Sequence, residues 1–314
     1  MQSLWMLFAT FTFSIMGLCI KLASSTYSTS EIVMYRGVVG MVFVFGMMRY
    51  NRQSVVTRYP WHHLWRGVIG VTAMWLWFYS IGKLPLATAM TLNYMSPIWM
   101  AVILFVVGLW QRKTRFEWGL VFAVTMSFIG VVMLLRPSFH AEQLLGGIVG
   151  LISGVAAAFA YLQVKQLGML GEPESRVVFY LSATGSIAGF CGTMLGSGSM
   201  GISMTAWNAH SPKGLLLLLT IGVTAAIAQV AMTRAYQHGK TLVTANLQYS
   251  GIIFSSIWGV LFWGDILIWL SWAGIVVIMC SGIFATYYNL RNRSSVKSDS
   301  PVTTDESDPI KEEI

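Results

Sequence analysis

The chain has 314 residues, 55% of them hydrophobic and 10% charged, with a formal net charge of +8. A soluble domain carries about 25% charged residues, and no soluble protein of this length has enough interior to hide so much apolar surface. Lipid must be the solvent, which excludes a water-soluble enzyme or binding domain. The three cysteines, Cys19, Cys191 and Cys280, lie inside apolar runs, so they form neither a disulfide framework nor a metal site and read as packing residues.

A spanning helix needs about 20 mostly apolar residues. Ten segments qualify: 3–22, 30–49, 66–82, 87–109, 117–135, 146–166, 176–196, 214–235, 241–263 and 267–288. The first lacks a basic start and is long enough to span, so it is a helix rather than a cleaved leader. Polar punctuation such as Pro60-Trp61-His62-His63 and Gly171-Glu172-Pro173-Glu174 separates the segments. With the N-terminus cytoplasmic, the inner loops carry Arg49, Arg52, Arg58, Arg66, Arg112, Lys113, Arg115, Arg176, Arg234 and Lys240. The outer side holds only Lys21, Lys83, Arg136 and Lys213, so both termini are expected inside. The positive excess is therefore topological, facing anionic headgroups, and no nucleic acid is implied. Residues 291–314 turn to Ser, Asp, Glu, Pro and Lys and are expected to form a disordered cytoplasmic tail.

The segments divide five and five around Arg136-Pro137-Ser138-Phe139-His140, giving units at 3–137 and 144–290. Tyr79-x-x-Gly82-Lys83 returns as Tyr236-x-x-Gly239-Lys240 at a spacing of 157. Lys21 matches Lys165, and Tyr35-Arg36 falls against Phe179-Tyr180, both at 144. An odd number of spans per unit makes the second unit enter from the opposite side, the inverted repeat of secondary transporters. The expected fold is an all-α integral membrane protein of ten transmembrane helices in two inverted five-helix repeats.

Leu84-Pro85-Leu86-Ala87-Thr88-Ala89 entering the fourth segment, Ser96-Pro97 within it, and Gly264-Asp265 ending the ninth carry a family resemblance. Over residues 3–290 the chain resembles the drug/metabolite transporter superfamily, and within it the EamA-domain family. The resemblance implies a central cavity lined by segments 1, 3, 4, 6, 8 and 9. The glycine-acid pair has no partner after segment 4, where Gly108-Leu109-Trp110-Gln111 stands. The Trp-Phe-Tyr run before Leu84 is most similar to members that carry S-adenosylmethionine or riboflavin.

Arg36 is the one arginine well inside a predicted span, where charge is costly and faces a bundle interior or wet cavity. It could clamp a carboxylate or phosphate, snorkel outward, or pair with Glu31. Pro97 removes the helical partner of the Asn93 carbonyl, and Gly251 loosens the matching place in the ninth segment, after Gln248-Tyr249. Two interrupted helices at matching positions point to a binding site; a packing kink is the alternative. Trp75 and Tyr79, at i and i+4, share a face that could stack on a solute or pack in the core. Trp61, Trp65, Trp110 and Trp118 flank spans as interface anchors. The expected substrate-binding residues are Arg36, Trp75, Tyr79, Asn93, Tyr94, Gln229, Gln248 and Tyr249. Gly146, Gly150 and Gly154, like Gly185 and Gly189, form small-residue ridges for close packing or a dimer contact.

Gly239-Lys240-Thr241 mimics a phosphate loop, but Arg234 stands where its glycine belongs. No catalytic or metal motif appears, so no enzyme, cofactor or metal is expected, and no Asp or Glu lies deep in a span. The chain reads as a secondary transporter of a small amino-acid-like, nucleoside-like or cofactor-like metabolite, monomeric or homodimeric. The alternatives are a multidrug or metabolite exporter of the same fold and a lipid flippase.

Overall fold

Local signals set the helix starts. Ser28 caps α2 (Thr29–Tyr50) reciprocally: its Oγ accepts from the Glu31 N–H at 3.2 Å, and Glu31 Oε2 accepts from the Ser28 N–H at 3.0 Å. Pro60 opens α3 (Pro60–Lys83) and Pro212 opens α8 (Pro212–His238), both at the position where proline's missing N–H costs nothing. Gly264 ends α9 (Ser250–Trp263) with φ 61°, a left-handed cap suited to glycine. The computed structural model describes residues 4–110, 141–195, 210–239, 247–264 and 268–298, with Thr244 and a few positions between 122 and 133. The other helices are α1 (Trp5–Ala23), α4 (Leu86–Asn93), α5 (Ser96–Trp110), α6 (Ala141–Met169), α7 (Glu174–Leu195) and α10 (Trp269–Ser298).

The chain is all-helical, with no strand among the described residues. Six helices there are long and apolar enough to cross a membrane, and two shorter apolar helices accompany them. Predicted segment 87–109 is two pieces, α4 and α5. Most of segment 117–135, the start of segment 241–263, Arg112 to Arg115, Trp118, Arg136 to His140, Lys240, Asp265 and the tail from 299 onward lie outside the described residues. The helix α10 runs to Ser298, past the expected start of the tail at 291.

The outer face is apolar, unlike that of a soluble protein, and the core mixes apolar with polar side chains. Thr10, Ser14, Asn93, Gln229 and Gln248 are buried, whereas Leu4, Val42, Trp65, Leu216 and Leu261 are exposed. Lipid stabilises such an outer face, and several of the polar groups inside pair with one another instead of meeting hydrocarbon. Trp61 and Trp110 stand exposed at helix ends, as interface anchors do.

Helices from the first part of the chain pack chiefly on those from the second. The first, α1, lies on α8 and α9, while α3 lies on α6 and α7; α2 meets both α7 and α8, and α4 meets α6 and α9. At one end of the bundle Lys21 Nζ donates to the Leu84 carbonyl, Lys21 sits over the Trp263 ring, and Gly146 of α6 abuts Lys83. At the other end the α2–α3 connection meets the turn between α6 and α7. So α1, α3 and α9 finish at the end where α6 begins.

The glycine ridges are occupied within the chain. A Cβ on Gly154 would lie 2.7 Å from the Leu92 carbonyl oxygen, and one on Gly189 2.5 Å from the Met34 nitrogen. Close helix packing accounts for both.

Candidate functional site

Both interrupted helices break at a tyrosine. After α4, Tyr94 and Met95 form one irregular turn, and Met95 N–H reaches only back to Leu92 O at 3.4 Å. Pro97 is the second residue of α5, so it starts the new helix instead of kinking an old one. Tyr249 occupies the corresponding turn before α9. The two breaks touch: a Cβ on Gly251 would lie 2.4 Å from the Tyr94 ring. Only a residue without a side chain lets that ring come so close to α9.

A narrow cavity opens beside these breaks. One wall is the stripe Arg66, Gly70, Ala73, Met74 and Trp77 of α3, spaced as one helical face; another is Met6, Thr10 and Phe13 of α1. Asn93 and Tyr94 close it from the first break and Gln248 from the second, while Ala157, Ala160 and Tyr161 of α6 and Gln229 and Met232 of α8 complete it. Segments 1, 3, 4, 6, 8 and 9 all contribute, and α7 adds Leu181. The walls are mostly apolar, with convergent polar groups, the usual make-up of a small-molecule site.

Those polar groups are partly tied down. The Tyr236 hydroxyl donates to Gln248 Oε1 at 2.7 Å, and Gln248 Nε2 donates to Ser96 Oγ at 3.0 Å. Asn93 Nδ2 donates to Ser153 Oγ at 3.2 Å, and the Ser153 hydroxyl donates to Gly150 O at 2.6 Å. The Tyr161 ring stacks on Tyr236 at 5.3 Å, and Trp77 bridges Phe13 and Tyr94. Among the described residues the Tyr94 hydroxyl, Gln229 Oε1, and Arg66 Nε and Nη1 have no partner. Gln248→Leu should strand both Tyr236 and Ser96 and cost about 1–3 kcal/mol, whereas Tyr236→Phe should cost about 1 kcal/mol; thermal unfolding in detergent reads both.

Of the expected residues, Asn93, Tyr94, Gln229 and Gln248 line the cavity. Tyr249 is buried at the second break but outside the lining. Trp75 turns to α7, where a Cβ on Gly192 would meet its ring at 2.5 Å, and Tyr79 is half-buried away from the cavity. Arg36 is buried behind the wall. Arg66 corrects the sequence reading: α3 begins six residues before the predicted segment, so Arg66 is a buried helix residue in the cavity wall, not a loop cation. Pro60 was the available signal.

The far end of the bundle is bolted by Glu172, in the turn between α6 and α7. Its carboxylate accepts from Thr57 Oγ1 at 2.8 Å, Arg176 Nη1 at 2.9 Å and His63 Nε2 at 3.2 Å. Its carbonyl accepts from Gln237 of α8 at 3.3 Å. Arg176 also donates to Ser54 O, and Tyr180 to Val55 O.

Residues 1–136 match the model of the EamA-like transporter family. The pseudopaline exporter CntI of Pseudomonas aeruginosa is 32% identical over 285 residues, covering 88% of this chain and 94% of the exporter. The chain belongs to the EamA family of the drug/metabolite transporter superfamily. Among other relatives, the S-adenosylmethionine uptake transporter of Rickettsia prowazekii is 22% identical over 93% of this chain and 94% of its own length. The riboflavin transporter of Vibrio cholerae is 25% identical over 92% of this chain and 94% of its own. One solved structure shares the fold at a TM-score of 0.65 and 16% identity, covering 92% of this chain and 98% of the other. The EamA chain is thus a multi-pass membrane transporter.

Proposed function

We propose that this EamA transporter carries a small organic metabolite across the bacterial inner membrane by alternating access of two inverted five-helix halves, 3–137 and 144–290, with both termini cytoplasmic. The observation that carries the proposal is the cavity built where the two helix breaks meet. The helix pairings support the inversion. Exchanging segments 1, 2, 3 and 4 with 6, 7, 8 and 9 turns the α1–α8 contact into α6–α3, α2–α8 into α7–α3, and α1–α9 into α6–α4. The α2–α7 and α4–α9 contacts map onto themselves.

The binding residues are taken from both halves: Asn93, Tyr94, Gln229 and Gln248 in the cavity wall, with Tyr249, Trp75, Tyr79 and Arg36 outside its lining. The solute is amino-acid-like, nucleoside-like or cofactor-like, the last being the type named for two relatives. Export is the second reading, favoured by the 32% identical relative's name. A flippase loses ground because Arg36 is 2% exposed and cannot line a lateral groove.

Uptake of radiolabelled solutes into proteoliposomes tests the transport; flux of at least one amino acid, nucleoside or cofactor is expected. Single cysteines at 83 and 240 in a cysteine-free background test the threading. An impermeant thiol reagent should label them from opposite sides, and labelling from one side would end the inverted arrangement.

A further inference from the structure

We propose that Arg66 is the anion-binding group of the cavity, so that the transported solute is a small organic anion, holding a carboxylate or phosphate against this guanidinium and its apolar part against Trp77 and Phe13. The inference rests on the transport reading of the cavity and adds the substrate class. Arg66 is 2% exposed, and its Nε and Nη1 have no partner among the described residues.

The direction of the side chain is the decisive feature. Helical side chains lean toward the N-terminus of their helix, and an arginine near a helix end relaxes by snorkelling to the interface. Arg66 is about 9 Å along α3 from its first residue, so both tendencies should draw it back toward Pro60. It goes the other way. A Cβ built on Gly70, one turn further from that end, would lie 1.9 Å from Arg66 Nη1. The guanidinium thus occupies the space that any other residue at 70 would fill, and points deeper into the bilayer.

Nothing described there neutralises it. Glu31 is engaged in the α2 cap, Glu172 in the cluster at the bundle end and Glu174 with His238. Around the cavity stand Gln229, Tyr94 and Tyr161, neutral groups that can orient a solute but cannot balance a charge. A buried cation without a counter-ion is costly, and an anion arriving as cargo removes that cost. The planar guanidinium, with a free edge of donors, suits a two-oxygen acceptor.

The test uses purified full-length protein and matched probes: phenylacetate against phenylacetamide, N-acetylphenylalanine against its amide, and phenyl phosphate against phenol. At least one anion should raise the unfolding temperature while its neutral partner does not. Arg66→Gln should weaken that binding about 30-fold or more, and Gly46→Ala, on the outer face of α2 with nothing within 4 Å of its Cβ position, should leave it within a few-fold. A second measurement needs no ligand: Arg66→Met should raise the unfolding temperature of the empty protein, because it removes an uncompensated charge. Equal stabilisation by the neutral partners, no stabilisation by any of the anions, binding unchanged in Arg66→Gln, or a less stable empty Arg66→Met would each overturn the proposal. Flux of neutral or cationic solutes alone would sink the anion while leaving the transporter; absence of all flux would remove the reading beneath both.

Discussion

Gly189→Val is expected to break the contact between α2 and α7 and abolish transport with it. A Cβ at 189 would lie 2.5 Å from the Met34 nitrogen and 2.6 Å from its Cα. Those are backbone atoms of a neighbouring helix, which cannot swing aside as a side chain would. Across the same interface a Cβ on Gly37 would meet the Ser186 nitrogen at 2.5 Å and the Ser182 oxygen at 2.7 Å. The two helices therefore touch along backbones, the geometry that small residues permit between membrane helices. Forcing them apart should cost about 3 kcal/mol, the upper part of the usual range for overpacking. Gly46, also on α2, has nothing within 4 Å of its Cβ position, so Gly46→Ala should leave stability unchanged within about 0.5 kcal/mol. Gly37→Val and Gly189→Val should also be less than additive, because either one separates the same two backbones and leaves the other room. Thermal unfolding of the wild type, the three single variants and the Gly37→Val/Gly189→Val double variant in detergent measures all of this. A full additive loss would mean that each glycine serves a different contact.

How much of this was legible in the sequence follows from how locally each feature is determined. Pro97 and Gly251 act on their own turns, so the two helix breaks, and with them Asn93, Tyr94 and Gln248, could be found from residue type and repeat spacing. Arg66 could not be found by apolarity, since His62, His63 and Arg66 dilute the first turns of α3; only Pro60 as a helix opener marks the true start. The run Trp75-Leu76-Trp77-Phe78-Tyr79 puts aromatic rings on every side of one helix. Which ring fronts the cavity is decided by Gly192, far along the chain on α7, which makes room for Trp75 and leaves Trp77 to the cavity. Pairings of that kind, like Thr57 with Glu172, have no local signature.

Glu172→Gln should loosen the far end of the bundle and open a path to the cavity. The carboxylate gathers a threonine before α3, a histidine in its first turn and an arginine on α7, and its backbone carbonyl holds α8. No other described side chain joins so many elements at that end. An amide keeps the shape but puts an N–H where an acceptor is needed, facing Arg176 and His63. The loss should be about 2 kcal/mol, below that for a fully buried ion pair, because Arg176 keeps 16% of its side chain exposed. Burial pushes the Glu172 carboxyl up, but the hydrogen bonds from Thr57, Arg176 and His63 and the Arg176 charge outweigh it and hold the pKa below the usual carboxylate range. A carboxyl depressed in the folded state stabilises fully above its unfolded value, about 4.3, and loses that contribution as pH falls through the folded value. The wild type should therefore lose stability on acidification below about pH 4 by more than Glu172→Gln does, since the variant has already lost that carboxylate. In alternating access this end must part once per cycle, so a cysteine placed at Ala73 in the cavity wall should react faster with a soluble thiol reagent when Glu172 is Gln. An unchanged or slower rate would show that the cluster holds the helices together without closing the cavity.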